Sequence, residues 1–205
     1  MKNNYLAYGL ICAFSLSLVV LTQCKPKSSE EKTDQAATAK AEYSGYDSQV
    51  AWGEHLVKAT GCNDCHTPKK MTAQGPVDDT ALLLSGHPEK MPAPDVNRIE
   101  MEKKGLFVSS TLTAWVGPWG VSYAANLTSD ATGIGNWQES NFITAIREGK
   151  YKGLANARTL LPPMPWMWYR FMTDDELKAI FTYLKSTKPI RNIVPAAEPP
   201  SLVAK

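Results

Sequence analysis

Cysteine is scarce in this chain of 205 residues: there are four, and two of them, Cys12 and Cys24, stand close to the amino terminus. Only Cys62 and Cys65 remain for a folded domain, too few for a disulfide framework. A zinc site wants four ligands, and no second cysteine pair exists to complete one. Histidine is rarer still, with three. The formal charge is only +2, and no basic block interleaved with aromatics occurs, so nucleic acid is not expected as a partner. Internal repeats are absent. The longest apolar stretch, Tyr5 to Leu21, is short against the ~20 residues of a membrane span.

What is present at the amino terminus is one lysine, Lys2, that apolar stretch, and the break Leu21-Thr22-Gln23-Cys24. The order has the shape of a secretion signal. The closing cysteine resembles the lipobox of bacterial lipoproteins, which makes Cys24 the candidate lipidation site; Gln23 departs from the small residue usual there. An uncleaved spanning helix is the alternative. Both readings place the remainder outside the cytoplasm, in the periplasm or cell envelope, and anchored to a membrane. We therefore expect a signal peptide over 1–23, a lipidated flexible tether over 24–45, one domain over 46–194 and a disordered tail over 195–205. The tether and tail are rich in charged, small or proline residues and hold little to bury.

The informative motif is Cys62-Asn63-Asp64-Cys65-His66. A disulfide, half a zinc site with His55 or His87, and a thioredoxin-like redox pair each leave part of it unexplained. Covalent haem uses all three side chains. Two thiols one helical turn apart add to the two vinyl groups of the macrocycle, and the adjacent imidazole ligates the iron. One haem c is thus the expected cofactor, carried by Cys62 and Cys65 with His66 on the metal.

A sixth iron position needs an occupant. In Leu160-Leu-Pro-Pro-Met-Pro-Trp166, Pro162, Pro163 and Pro165 fix φ around Met164 and hold its thioether in a stiff loop. Methionine is a soft neutral ligand that favours ferrous iron. Met91, His87, Met167 and Met172 are rivals. His55 reads as an exposed helical histidine.

Three helices are legible. Residues 47–60 lead into the haem motif, with Gly53 inviting a close helix crossing. Residues 136–150 place Phe142, Ala145 and Ile146 inward and Gly149 as a C-cap. Thr173 and Glu176 form a capping box ahead of the apolar face Leu177, Ile180, Phe181 and Leu184, and Pro189 stops that helix.

Together, CNDCHTP, NLTSDATGIGNW (126–137), FITAIREG (142–149), LPPMPW and the capped final helix make residues 47–194 resemble a class I c-type cytochrome. Such modules occur in membrane-anchored cytochromes and in cytochrome subunits of bacterial dehydrogenases. The resemblance implies that Cys62 and Cys65 carry the haem, that His66 and Met164 ligate it, and that residues 126–137 wrap its edge near the propionates. By chemistry Asn126, Trp137 and Arg147 are candidate propionate partners; a core tryptophan and a surface arginine are the equal alternative. The matching Asn126-Leu-Thr glycosylation signal is taken as chance.

The expected fold is all-α, a cytochrome c-like haem domain with a long inserted loop and short hairpin between the haem motif and the second half. The insertion, 69–125, carries β-branched and aromatic runs around Gly117-Pro118. Within it Trp115, Trp119 and Tyr123 are expected to cover the haem, with a docking patch as the other reading. The function expected is electron transfer rather than enzymatic catalysis. Partners would be redox proteins: a dehydrogenase, a quinol-oxidising complex or a terminal oxidase. A haem enzyme or gas sensor with a labile sixth ligand is the first alternative, and a haem-free module with a Cys62–Cys65 disulfide the second.

Overall fold

The computed structural model of the chain describes residues 42–201, Leu106 excepted, together with Thr38. The signal, Cys24 and most of the tether lie outside the described residues. Among the described residues no helix is long and apolar enough to cross a membrane.

The elements run α1 (Gln49–Ala59), α2 (Cys62–His66), β1 (Lys69–Thr72), β2 (Gly75–Asp78) and α3 (Arg98–Lys104). They continue with β3 (Phe107–Val108), β4 (Ala114–Gly117), β5 (Gly120–Tyr123), α4 (Glu139–Glu148), α5 (Trp166–Tyr169) and α6 (Asp174–Ser186). Helix α1 starts where the Ser48 hydroxyl accepts from the Ala51 N–H at 3.1 Å, satisfying one orphan donor of the first turn. Helix α6 begins on the expected reciprocal cap of Thr173 and Glu176. Helix α4 ends at Gly149, whose φ of 66° suits the left-handed C-cap.

Helices α1 and α6 cross at Gly53. A Cβ there would meet the Ala179 carbonyl oxygen at 1.9 Å, so only glycine permits this approach. Around the crossing a single core collects Val57, Leu84, Ile134, Phe142, Ile146, Leu177, Ile180, Phe181 and Leu184. The Phe142 and Phe181 rings lie 5.7 Å apart and tilted, in the range favoured for aromatic pairs.

The all-α expectation is corrected. Strands β1 and β2 form an antiparallel hairpin, and β3-β4-β5 form a three-stranded antiparallel sheet. The protein is mixed α and β, with the strands confined to the insertion. Long inserted backbone must satisfy its own N–H and C=O groups, and here it does so by pairing with itself. The expected hairpin is part of this: Ala114 faces Tyr123 and Gly117 faces Gly120 across its turn. All four residues of β4 are buried, so this sheet joins the core rather than decorating it.

Within the expected tail, residue Glu198 packs on the insertion. Glu198 exchanges two backbone hydrogen bonds with Val121, at 3.0 and 2.9 Å. Its carboxylate accepts from Tyr123 Oη and pairs with Arg98, each at 2.9 Å. Upstream, Asn192 donates to the carbonyls of Ser85 and His87 at 2.6 and 2.9 Å. Residues 192–198 are a strap across the insertion, and their composition gave no sign of those partners.

Candidate haem site

Helix α2 is a single turn, so it points Cys62, Cys65 and His66 in one direction by local geometry alone. Gly61 enters it at φ 71°, a left-handed conformation that suits glycine. All three side chains line one cavity of about 340 Å³. Its far walls come from distant segments: Trp115 and Tyr123 of the insertion, Leu127, Trp137, and Met164 with Met172 near the carboxyl terminus. Most of the lining is apolar.

No disulfide joins Cys62 and Cys65. Burial pushes both above the ordinary thiol range, while the Thr60 hydroxyl, 3.4 Å from Cys62 Sγ, acts the other way. His66 Nδ1 lies 2.8 Å from the Ala125 carbonyl oxygen. Because a carbonyl only accepts, Nδ1 carries the proton and Nε2 keeps a bare lone pair. Burial also pushes the imidazole pKa down, with the Ala125 hydrogen bond opposing. A neutral imidazole with one uncommitted nitrogen is the form that ligates metals.

The residues present fit a haem. A flat apolar macrocycle needs an apolar slot, two thiols on one wall, an imidazole beside them and a soft donor elsewhere, and this cavity holds all four. Asn126 and Arg147 do not line it. Asn126 is buried, and its amide serves Thr128, Thr132, Ile190 and Asn192. Arg147 donates to the Arg170 carbonyl and to Asp174. Trp137 does reach the cavity.

Among the rival sixth ligands, Met91 lies elsewhere, accepting from the Thr111 hydroxyl through sulfur at 3.6 Å. His87 is buried between Thr113 at 2.9 Å and the Met91 carbonyl at 3.3 Å. Met167 is 51% exposed. His55 is exposed and stacks with Tyr46 at 5.0 Å. Trp115 and Tyr123 line the cavity, whereas Trp119 donates to Ser122 Oγ at 3.0 Å.

The Cytochrome c family model matches residues 50–188. The chain belongs to the cytochrome c family. As a class I c-type cytochrome it carries covalent haem c and serves electron transfer, with Cys62 and Cys65 in the family's Cys-x-x-Cys-His position. The cytochrome is similar to the cytochrome c subunit of a quinone alcohol dehydrogenase from Gluconacetobacter polyoxogenes, 28% identical over 71% of this chain and 26% of that one. It is similar to the gluconate 2-dehydrogenase cytochrome c subunit of Pantoea cypripedii, 39% identical over 32% of this chain and 14% of the relative. It is also similar to the fructose dehydrogenase cytochrome subunit of Gluconobacter japonicus, 35% identical over 36% of this chain and 15% of the relative. The cytochrome thus spans about a quarter or less of these relatives.

Sequence reasoning missed the residues that hold the site together. Gly86 donates to the His66 carbonyl at 2.8 Å, and its neighbours Leu84 and His87 pair with Leu127 and Ala124. These bonds pin the segment after β5 that presents Ala125 to the imidazole. Ser122 Oγ donates to the Pro162 carbonyl at 2.6 Å, tying the insertion to the Met164 loop. Tyr169 Oη donates to the Thr60 carbonyl at 2.5 Å. None of these long-range bonds has a local sequence signal.

Proposed function

We propose that this cytochrome is a monohaem electron carrier whose iron is held by His66 and Met164, anchored at the cell envelope through Cys24, and serving a dehydrogenase. The observation that carries the ligand reading is the sharing of one cavity by Cys62, Cys65, His66 and Met164, with His66 Nδ1 engaged by Ala125 and Nε2 free. The bound haem supplies a one-electron couple. The thiols of Cys62 and Cys65 fix the cofactor to α2. His66 would hold the iron through Nε2, oriented by the Ala125 carbonyl. Met164 would offer its thioether to the same iron, placed by the proline loop and by the Ser122 hydrogen bond to Pro162. Trp115, Tyr123 and the apolar core exclude water from the slot, which favours the neutral ligand set and keeps rearrangement small between oxidation states. The dehydrogenase partner is supported by the printed names of the three relatives. Envelope anchoring rests on the Leu-Thr-Gln-Cys break and the polar stretch after it.

The test is a spectrum of protein made with its export signal. Haem that resists acid-acetone extraction, low-spin bands in both oxidation states and slow carbon monoxide binding support the reading. Rapid carbon monoxide binding by wild-type ferrous protein at neutral pH overturns the His66/Met164 assignment in favour of an open-site enzyme or sensor.

A further inference from the structure

Asn126 and Arg147 serve other partners, so the carboxylates of a bound haem must find their donors elsewhere, and a buried carboxylate without donors is costly. The cavity offers them no cation: among the described residues that line it there is neither lysine nor arginine. Its hydroxyls are already engaged. Tyr123 Oη donates to Glu198, Tyr169 Oη to the Thr60 carbonyl, Ser122 Oγ to the Pro162 carbonyl and Thr60 Oγ1 to the Leu56 carbonyl. Two indoles remain, Trp115 and Trp137, and no hydrogen bond among the described residues takes the N–H of either.

Trp115 is the one that cannot turn to solvent. It is 6% exposed, whereas Trp137 is half-buried. Among the described residues the sealed side-chain polar atoms without a partner are Asn63 Oδ1 and Arg98 Nε. The Trp115 nitrogen is therefore neither bonded nor sealed, and it opens onto the cavity that its ring lines. Buried indoles usually find an acceptor, and no described residue supplies one here.

The fold also sets Trp115 at a telling edge. Ser122 is bonded to the Met164 loop at Pro162, and Ala125, a little farther along, is bonded to His66. Residues 122–125 thus run along one edge of the slot, from the loop that carries Met164 to the imidazole of His66. Trp115 stands directly opposite Ser122 in the β4–β5 ladder. Cys62 and Cys65 claim a different edge, on α2. In haem the two vinyl-bearing rings adjoin each other and the carboxylates hang from the other two. Thiols that take the vinyls therefore leave the carboxylates directed away from α2.

We propose that Trp115 donates its indole N–H to a haem carboxylate, which makes the insertion, rather than the 126–137 segment alone, a wall of the haem's polar end. The proposal rests on the haem-carrier reading above and adds a residue to that same site. Trp115 is a positioning residue that acts on the iron through the carboxylate. Its N–H stabilises the ionised carboxylate and draws part of the negative charge away from the metal, which favours the ferrous state.

The test compares haem-loaded wild type with Trp115→Phe, Trp137→Phe and Trp168→Phe. Phenylalanine keeps most of the apolar packing and removes the N–H. Trp115→Phe should shift the haem-carboxylate bending band in resonance Raman spectra and lower the reduction potential, with the low-spin bands and thioether linkage unchanged. Trp168→Phe, at a residue 70% exposed, should change neither readout. A band and a potential that stay put in Trp115→Phe overturn the proposal while the carrier reading stands, and so does a shift confined to Trp137→Phe. If Trp115→Phe accumulates no haem-loaded protein, a crystal structure of wild-type holoprotein decides. Trp115 Nε1 within about 3.2 Å of a carboxylate oxygen supports the assignment, and an indole turned from both carboxylates overturns it. Wild-type protein that carries no covalent haem overturns the carrier reading and this proposal together.

Discussion

The His66 imidazole is aimed by a carbonyl fifty-nine positions away, with Nδ1 2.8 Å from the oxygen of Ala125, and Gly86 decides whether that oxygen can be there. Gly86 has φ 76°, and a Cβ on it would meet the Ala124 oxygen at 2.4 Å and the Ala125 carbonyl carbon at 2.5 Å. Gly86→Ala therefore pushes away the Ala124–Ala125 backbone that orients His66. We expect a loss well above the ~1 kcal/mol of an ordinary positive-φ glycine, with a shifted reduction potential. Gly75→Ala is the control: its φ is 109°, but a Cβ there meets nothing within 4 Å, so it should cost stability and leave the potential alone. Thermal melts and protein-film voltammetry on both variants check this.

Met164 and Met172 both reach the cavity, and only mutation separates a ligand from a wall. Met164→Ala should abolish the long-wavelength absorption of Met-ligated ferric haem, lower the potential and admit carbon monoxide. Met172→Ala should lower stability by about 2–5 kcal/mol at most, as a core truncation does, and Met91→Ala should do neither. If Met172→Ala gives the spectral change and Met164→Ala does not, the ligand is Met172.

The contrast between these residues shows what is legible in sequence. Helix α6, the Cys62–His66 turn and the prolines around Met164 are local: each feature lies within a few residues of the one it acts on, so spacing reveals it. Asn126 and Arg147 have the chemistry of propionate partners, yet they are committed to Ile190, Asn192, Asp174 and the Arg170 backbone. Nothing near them in sequence marks those commitments. Strands β1 and β2 have mostly exposed side chains, so they carry no apolar alternation to read. In β4 all four residues are buried, which erases alternation from the opposite side.

His87 makes stability depend on pH. Burial pushes its pKa below the ordinary 6.5, with the Met91 carbonyl opposing, and its other contacts, Thr113 and the Tyr123 ring, carry no charge at neutral pH. A histidine kept neutral in the fold is protonated more readily when unfolded. Its contribution is complete above about 6.5 and falls as pH drops through the folded value. The urea midpoint should fall between pH 7 and pH 5, and His87→Gln should flatten that slope even where it lowers the plateau. An equal slope in the variant would assign the dependence elsewhere.

Ser122 links the insertion to the ligand loop. Its hydroxyl donates to Pro162 at 2.6 Å while accepting from Trp119 at 3.0 Å, and prolines leave that loop few donors of its own. Ser122→Ala should cost about 1 kcal/mol, and more tellingly should speed carbon monoxide binding to ferrous protein, because the loop then opens more often. Unaltered binding kinetics would mean that the prolines alone hold Met164.

The carboxyl-terminal strap is tested at Glu198, whose carboxylate joins Tyr123 Oη and Arg98, each at 2.9 Å. Burial and then this hydrogen bond push the Tyr123 phenol up to about 12. Below its ordinary value of 10 the phenol is neutral in both states, and its stabilising share is complete there. That share is lost as pH rises from 10 through about 12, because the unfolded chain ionises first. Glu198→Ala should bring one tyrosine back toward 10 in an ultraviolet titration and cost about 1 kcal/mol at neutral pH from the half-exposed ion pair and its companion bond. It should also loosen β5, because the Val121–Glu198 backbone pair loses its side-chain anchor. Hydrogen exchange at Val121 should quicken in the variant, whereas protection in α6 should stay as it is. Equal quickening in α6 would mean that the strap supports the whole domain rather than the sheet alone.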